Sequence, residues 1–133
     1  WATERPFELY LPGVVVSGRA DVIYDDGGGS PENLIIVDYK TSTDGAPDPL
    51  QLQIYADAGR REGLTVQGAV IHDMTAPDHP YSVDVADSAI AAAEAVVVTR
   101  AEALRQREFS PAPEKQKCRR CDVRTICRAA KLT

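Results

Sequence analysis

Along the first forty residues, apolar positions come in short runs bounded by turn residues. Phe7 to Leu11 and Val14 to Tyr24 read as two strands joined at Pro12-Gly13, where glycine can take the positive φ that other residues resist. They predict a hairpin. Asp25 to Asn33, with Gly27-Gly28-Gly29 and Ser30-Pro31, is too polar and glycine-rich for anything but a loop, and Leu34 to Lys40 follows as a third antiparallel strand. The glycine triplet does not read as a phosphate cradle, because no helix follows it and no Lys-Ser/Thr closes it. It reads as a mobile hairpin tip. After an irregular link over Thr43 to Pro47 the spacing turns helical: Asp48 as cap and Pro49 in the first turn start a helix to about Glu62, and Gly63 is placed to end it. Thr65 to Asp73 alternates into a further strand and Tyr81 to Val85 is a candidate for another. Asp87 then caps an Ala-rich helix reaching about Glu108. Strands, helix, strand, helix predicts an α/β or α+β layout with a mixed sheet and no internal repeat.

Composition narrows the class. At 133 residues with a 44% apolar share, the chain is long enough for one core and is expected to fold as a single domain, residues 1–133. No run approaches the roughly eighteen apolar residues of a membrane span. No basic, apolar leader opens the sequence, so the cytoplasm is the expected compartment and no membrane partner is expected. The first residue is Trp1 rather than Met, which leads to the expectation of a piece of something longer or a processed product. A net charge of −5 argues against a surface that binds nucleic acid everywhere. The charge is uneven, however. Arg100, Arg105, Arg107, Lys115, Lys117, Arg119, Arg120, Arg124, Arg128 and Lys131 make the last third basic, as either a local nucleic-acid surface or a solvated helix face and tail would.

Candidate chemistry sits on the strand Ile35-Ile36-Val37-Asp38-Tyr39-Lys40. Period-two alternation puts Asp38 and Lys40 on one face and Tyr39 on the other. A carboxylate beside an ammonium can hold a divalent metal and a water activated near it, provided a second carboxylate arrives from elsewhere. Asp21, closing Ser17-Gly18-Arg19-Ala20-Asp21, is available for that. These residue types point to metal-dependent phosphodiester hydrolysis. Gln51 and Tyr55, four apart on the first helix, share a face. Beyond the helix-breaking Phe109-Ser110-Pro111-Ala112-Pro113, residues 109–133 form a cysteine-rich tail, with Cys118, Cys121 and Cys127 inside ten residues. In a reducing compartment such clustering favours metal or cluster ligation over disulfides. Three thiolates are one short of a four-ligand site, and zinc could borrow a histidine or a water. His79, otherwise a loop residue, is the nearest candidate for that, while His72 reads as a partly buried packing residue.

In order, Gly18-Arg19-Ala20-Asp21, Asp38-Tyr39-Lys40-Thr41, Gln51-Leu52-Gln53-Ile54-Tyr55, Phe109 and the Cys-x2-Cys-x5-Cys ending resemble the RecB-like nucleases of the PD-(D/E)xK superfamily. That group includes the AddB nuclease domain, the CRISPR-associated RecB-like exonucleases and nuclease domains fused to helicases. The resemblance covers nearly the whole chain. It implies a restriction-endonuclease-like α/β fold, a mixed central sheet flanked by helices with a C-terminal cysteine-rich segment. It also implies a metal-dependent DNA exonuclease, or the nuclease module of a repair or recombination helicase-nuclease, with DNA as substrate and a helicase domain or subunit as partner. Asp21 and Asp38 resemble the two acids that bind Mg²⁺ or Mn²⁺, with the main-chain carbonyl of Tyr39 as a further ligand. Lys40 resembles the lysine that orients the attacking water and offsets charge on the phosphate. Gln51 and Tyr55 match the family's Q-x3-Y helix, which flanks the site, and Glu4 resembles an acid ahead of the first strand. Cys118, Cys121 and Cys127 resemble three of the four ligands of a 4Fe-4S cluster, zinc being the alternative. The family's fourth cysteine and a metal-site histidine lie upstream of the first strand, so the chain is expected to be a fragment lacking its N-terminal helix.

Plainer explanations exist for each part. Asp38 and Lys40 alone could be a surface ion pair at a strand end. Asp21 could be a polar hairpin residue, Tyr55 helix packing and Gln51 solvent-facing. The cysteines could be small buried hydrophobes, although a basic stretch is a poor place to bury three. Two other functions stay open: a nuclease-like domain that no longer cuts and serves as a DNA-binding or scaffold module of a repair complex, and a zinc-stabilised interaction domain. Colour separates cluster from zinc, since only the iron-sulfur cluster absorbs visible light.

Overall fold

The computed structural model describes residues 2–26, 32–41 and 47–131. The expected glycine-rich hairpin tip and most of the expected link before Pro47 lie outside the described residues. By its contacts the chain divides into two units, Trp1–Ala101 and Glu102–Thr133.

In the first unit, β1 (Ala2–Leu11), β2 (Val14–Asp25), β3 (Leu34–Lys40), β4 (Val66–Asp73) and β5 (Tyr81–Val83) form one sheet whose neighbours follow chain order. β1 with β2, β2 with β3 and β4 with β5 pair antiparallel, while β3 and β4 pair parallel. A parallel step needs a crossover, which α1 (Leu50–Arg61) supplies. The result is the expected mixed α/β sheet. β1 begins at Ala2 rather than Phe7, because backbone pairing such as Ala2 with Ile23 extends the strand beyond its apolar run. β5 stops at Val83, short of the expected Val85.

Helix ends depart from expectation by a residue or a few. Pro49 itself occupies the N-cap of α1, with φ −72 and ψ −17, and the Asp48 carboxylate accepts from the Leu50 N–H at 3.0 Å. Gly63, at φ +85, closes the helix as expected, and the Leu64 N–H reaches back to the Gly59 carbonyl. Asp87 is the first residue of α2 (Asp87–Arg105) rather than its cap, and its carboxylate meets Arg60 at 3.3 Å. α2 stops before Glu108 because Arg107 adopts φ +58, which lets the Glu108 N–H bond to the Ala103 carbonyl.

One face of the sheet carries the core. Ile23, Leu34, Ile36, Val66, Ala69 and Ile71 gather with Leu52 and Ala56 of α1, while Phe7, Leu9 and Leu11 gather with Ile54 and Ala58. Arg61 bonds both Asp57 on its own helix and Glu94 on α2, and the Asp57 contact raises the guanidinium's pKa further.

Gly18 sits beneath the Phe7 ring. A Cβ at this position would lie 2.7 Å from the ring carbons of Phe7 and 3.5 Å from the Tyr55 ring, and those two rings meet edge-on with centroids 4.7 Å apart. Glycine inside a strand marks such a close approach. We expect Gly18→Ala to destabilise the fold by about 1–3 kcal/mol through overpacking, read as a lowered thermal midpoint. An unchanged midpoint would mean that the ring yields freely.

In the second unit, the end of α2 is followed by the short α3 (Lys115–Arg120), which the sequence pattern did not announce. None of its described residues is buried. Among the described residues no helix is long and apolar enough to cross a membrane.

Candidate active site

Along β3, the row Leu34, Ile36, Asp38, Lys40 runs from the core toward solvent. Asp38 ends the buried part at 3% exposure, and Lys40 follows, partly exposed. Their side chains meet, with Lys40 Nζ 2.7 Å from Asp38 Oδ2. A carboxylate taken out of water needs such a partner, so the two residues position each other.

The neighbouring strand brings Asp21. The β2–β3 ladder runs from Asp25 with Leu34 to Val22 with Val37, and Asp21 and Asp38 are the residues that follow its last pair on the two strands. The Tyr39 N–H donates to Asp21 Oδ2 at 3.4 Å. An extended residue points its N–H and C=O to the same edge, so the Tyr39 carbonyl faces the β2 side as well. The Lys40 carbonyl faces the other way, accepting from the Met74 N–H at 2.8 Å.

The strand pattern breaks around Asp21. On β1 the residues Phe7, Leu9 and Leu11 point to the core, and on β2 Ala20 does. Beyond that point the inward positions are Ala2 and Ile23, so alternation slips on both strands. The β1–β2 pairing passes from Arg5–Ala20 to Thr3–Val22, omitting the Glu4–Asp21 pair. Glu4 there takes φ +51, a left-handed conformation that costs a non-glycine residue about 1–2 kcal/mol. Irregularities of this kind re-aim side chains beside sites. Glu4 therefore lies within β1, not ahead of it, and its carboxylate meets Arg19 at 3.4 Å.

α1 closes the other side. Lys40 Nζ approaches Gln51 Oε1 at 3.5 Å, and Gln51 Nε2 donates to the Tyr55 hydroxyl at 2.7 Å. Tyr55 is in turn braced by Phe7 over Gly18. A chain of contacts thus runs Asp38, Lys40, Gln51, Tyr55. The Phe7–Gly18 support is not among the motif residues, and its one signal in the sequence is a glycine inside an apolar strand. Tyr39 points to the opposite face and stacks on His72, centroids 5.6 Å apart. His72 is half-buried, in keeping with its expected packing role, and His79 lies in a turn.

Asp21 and Asp38 bring two carboxylates to the end of the β2–β3 ladder, against the single ammonium of Lys40. The donors available here, two carboxylates and a main-chain carbonyl on one edge, are all oxygen and suit a hard divalent cation such as Mg²⁺ or Mn²⁺. Among the described residues no three Cys, His, Asp or Glu side chains form a group that could hold a metal. That includes Cys118, Cys121 and Cys127, which are free thiols the structure does not bring to one point.

The sequence profile of the PD-(D/E)XK nuclease superfamily matches residues 1–128. This chain belongs to that superfamily. Asp38-Tyr39-Lys40 spells the second half of the family signature, and the five-stranded mixed sheet with its crossover helix is the PD-(D/E)XK architecture. Nucleases of the superfamily generally use divalent metals such as Mg²⁺ or Mn²⁺. Among solved structures, SSO0001 is similar over 99% of this chain and 61% of its own, with 28% identity and a TM-score of 0.55. A Eubacterium rectale protein assigned as an exonuclease is similar over 99% of this chain and 54% of its own, with 20% identity and a TM-score of 0.54. The chain therefore spans less than two thirds of either neighbour. No curated protein matches it.

Proposed function

We propose that this PD-(D/E)XK domain is a metal-dependent deoxyribonuclease that digests DNA from its ends, working as the nuclease module of a repair or recombination helicase-nuclease in the cytoplasm. The observation that carries the reading is the buried Asp38 ion-paired to Lys40, with the Asp21 carboxylate reaching the Tyr39 N–H from the neighbouring strand. Asp21, Asp38 and the Tyr39 carbonyl would hold Mg²⁺ or Mn²⁺. When bound, the ion supplies charge stabilisation on the phosphate oxygens and acidifies its bound water.

The chain's own groups do the rest. Lys40 keeps an ammonium within 2.7 Å of Asp38, where it orients the attacking water and offsets negative charge gathering on the phosphate. Hydrolysis joins the water oxygen to phosphorus and releases the ester oxygen, which leaves with a proton. Gln51 fixes the Lys40 side chain through its Oε1, and Tyr55, whose oxygen accepts from Gln51, keeps its hydroxyl proton for a substrate oxygen. Those two residues border the DNA.

The second unit supports the metal or cluster reading of its cysteines. Glu102–Thr133 has no buried residue among those described, while Phe109 and Ile126 are 70% and 81% exposed. A segment this short gains too little from burial to order itself, and small units of this kind are ordinarily stapled by disulfides or metal. Three thiolates, completed by a ligand from outside the described residues, would supply the staple as a 4Fe-4S cluster or as zinc.

The test is digestion of linear DNA beside covalently closed circular DNA, with Mg²⁺, Mn²⁺ or a chelator. Loss of the linear form alone, only with metal, is the expected result, and Asp21→Asn should suppress both cutting and Mn²⁺ binding. A protein that binds DNA but leaves every substrate intact with either metal is the scaffold module instead.

A further inference from the structure

We propose that the Glu102–Thr133 unit supplies this protein's grip on the DNA backbone, through cationic side chains that have no partner among the described residues. The ligand in this inference rests on the nuclease reading above. The site rests on how charge is divided. Trp1–Ala101 contains 6 Lys and Arg against 16 Asp and Glu, while Glu102–Thr133 contains 9 against 4. The formal charges are thus −10 and +5, which together give the −5 of the whole chain.

The first unit has almost no cation to offer. Arg5 is paired with Glu62, Arg19 with Glu4, Lys40 with Asp38, Arg60 with Asp87, and Arg61 with both Asp57 and Glu94. Among the described residues, Arg100 is the one of these six whose side chain has no such pair. A polyanion approaching this unit meets net repulsion and one uncommitted positive charge besides the active-site ammonium. The substrate of a nuclease still has to be held there.

The second unit has the opposite character. The side chains of Arg107, Lys115, Arg119, Arg128 and Lys131 are all exposed and make neither a hydrogen bond nor an ion pair among the described residues. Lys115 and Arg119 stand four apart on α3, on one side of the helix. Cations held in internal ion pairs release no DNA counterions when a strand arrives, whereas uncommitted ones do, and that release drives backbone binding. Phe109, exposed in the same unit, adds an aromatic surface on which a base can stack. The acidic unit would thus hold the chemistry and the basic unit the strand.

The test measures binding of the full chain to a fluorescent tailed DNA duplex by anisotropy, in chelator so that nothing is cut, across a salt series. For the Arg119→Gln, Arg128→Gln, Lys131→Gln triple variant we expect the slope of log affinity against log salt to fall by about 2 to 3, and low-salt affinity to fall about tenfold or more. The charge-keeping pair Arg119→Lys, Arg128→Lys should retain the wild-type slope. Wild-type affinity and slope in the triple variant, or loss of binding by the lysine pair equal to that of the triple variant, would overturn the proposal, as would a wild-type protein that binds no DNA. Failure of the nuclease reading looks different: a wild-type protein that binds with a steep slope yet never cuts with Mg²⁺ or Mn²⁺ leaves this grip in place.

Discussion

Asp38→Asn should lower kcat/KM for DNA cleavage by about 10³-fold or more, while the thermal midpoint moves by only a few degrees. The amide keeps the shape of the carboxylate, and its oxygen can still accept from Lys40 Nζ. What it loses is the negative charge that, with that of Asp21 on β2, suits this position to a divalent cation. Because Asp38 is nearly fully buried, truncation to Ala would add a cavity and confuse stability with chemistry, so the isosteric change is the cleaner one. Initial rates on linear DNA, with melting curves on the same preparations, separate the two. A variant that cuts at the wild-type rate would remove Asp38 from the reaction.

Lys40→Met should affect both quantities. It deletes the ammonium that orients water and offsets phosphate charge, for an expected loss of about 10²–10³-fold in rate. It also strands the buried Asp38 carboxylate, which costs about 1–3 kcal/mol. The figure stays below that of a fully buried pair because Lys40 is 40% exposed and water can reach part of the site. Lys40→Arg sharpens the reading. A guanidinium keeps the charge, and so most of the stability, but its planar fork does not reproduce a point donor held between Asp38 and Gln51. Stability restored by Arg without activity is the expected pattern. Full activity in either variant would reduce Lys40 to a structural ion pair.

Gln51 and Tyr55 show how far reading by spacing reaches. Their separation of four put them on one helical face, and they are bonded at 2.7 Å. That Gln51 also reaches Lys40 depends on how α1 crosses from β3 to β4, which no local pattern encodes. The cysteines show the reverse. Their Cys-x2-Cys-x5-Cys spacing is plain in the sequence, yet Cys118, Cys121 and Cys127 do not converge. Spacing states which ligands are available, and a centre forms only when something beyond local backbone preference draws them together.

Local chemistry was enough to set the hairpin at Pro12-Gly13, the strand Leu34–Lys40, the stop at Gly63 and the pairing of Asp38 with Lys40. Turn residues, helix caps and period-two alternation act over a few neighbours and are written directly in residue order. Three things needed the folded chain: the β2–β3 pairing that brings the Asp21 carboxylate to the Tyr39 N–H, the left-handed Glu4 where alternation shifts, and the Phe7 ring over Gly18 that braces Tyr55. The first and third are contacts between residues apart in sequence, and the second sits where β1 and β2 leave a pair unmade, so all three depend on how the strands and α1 come together.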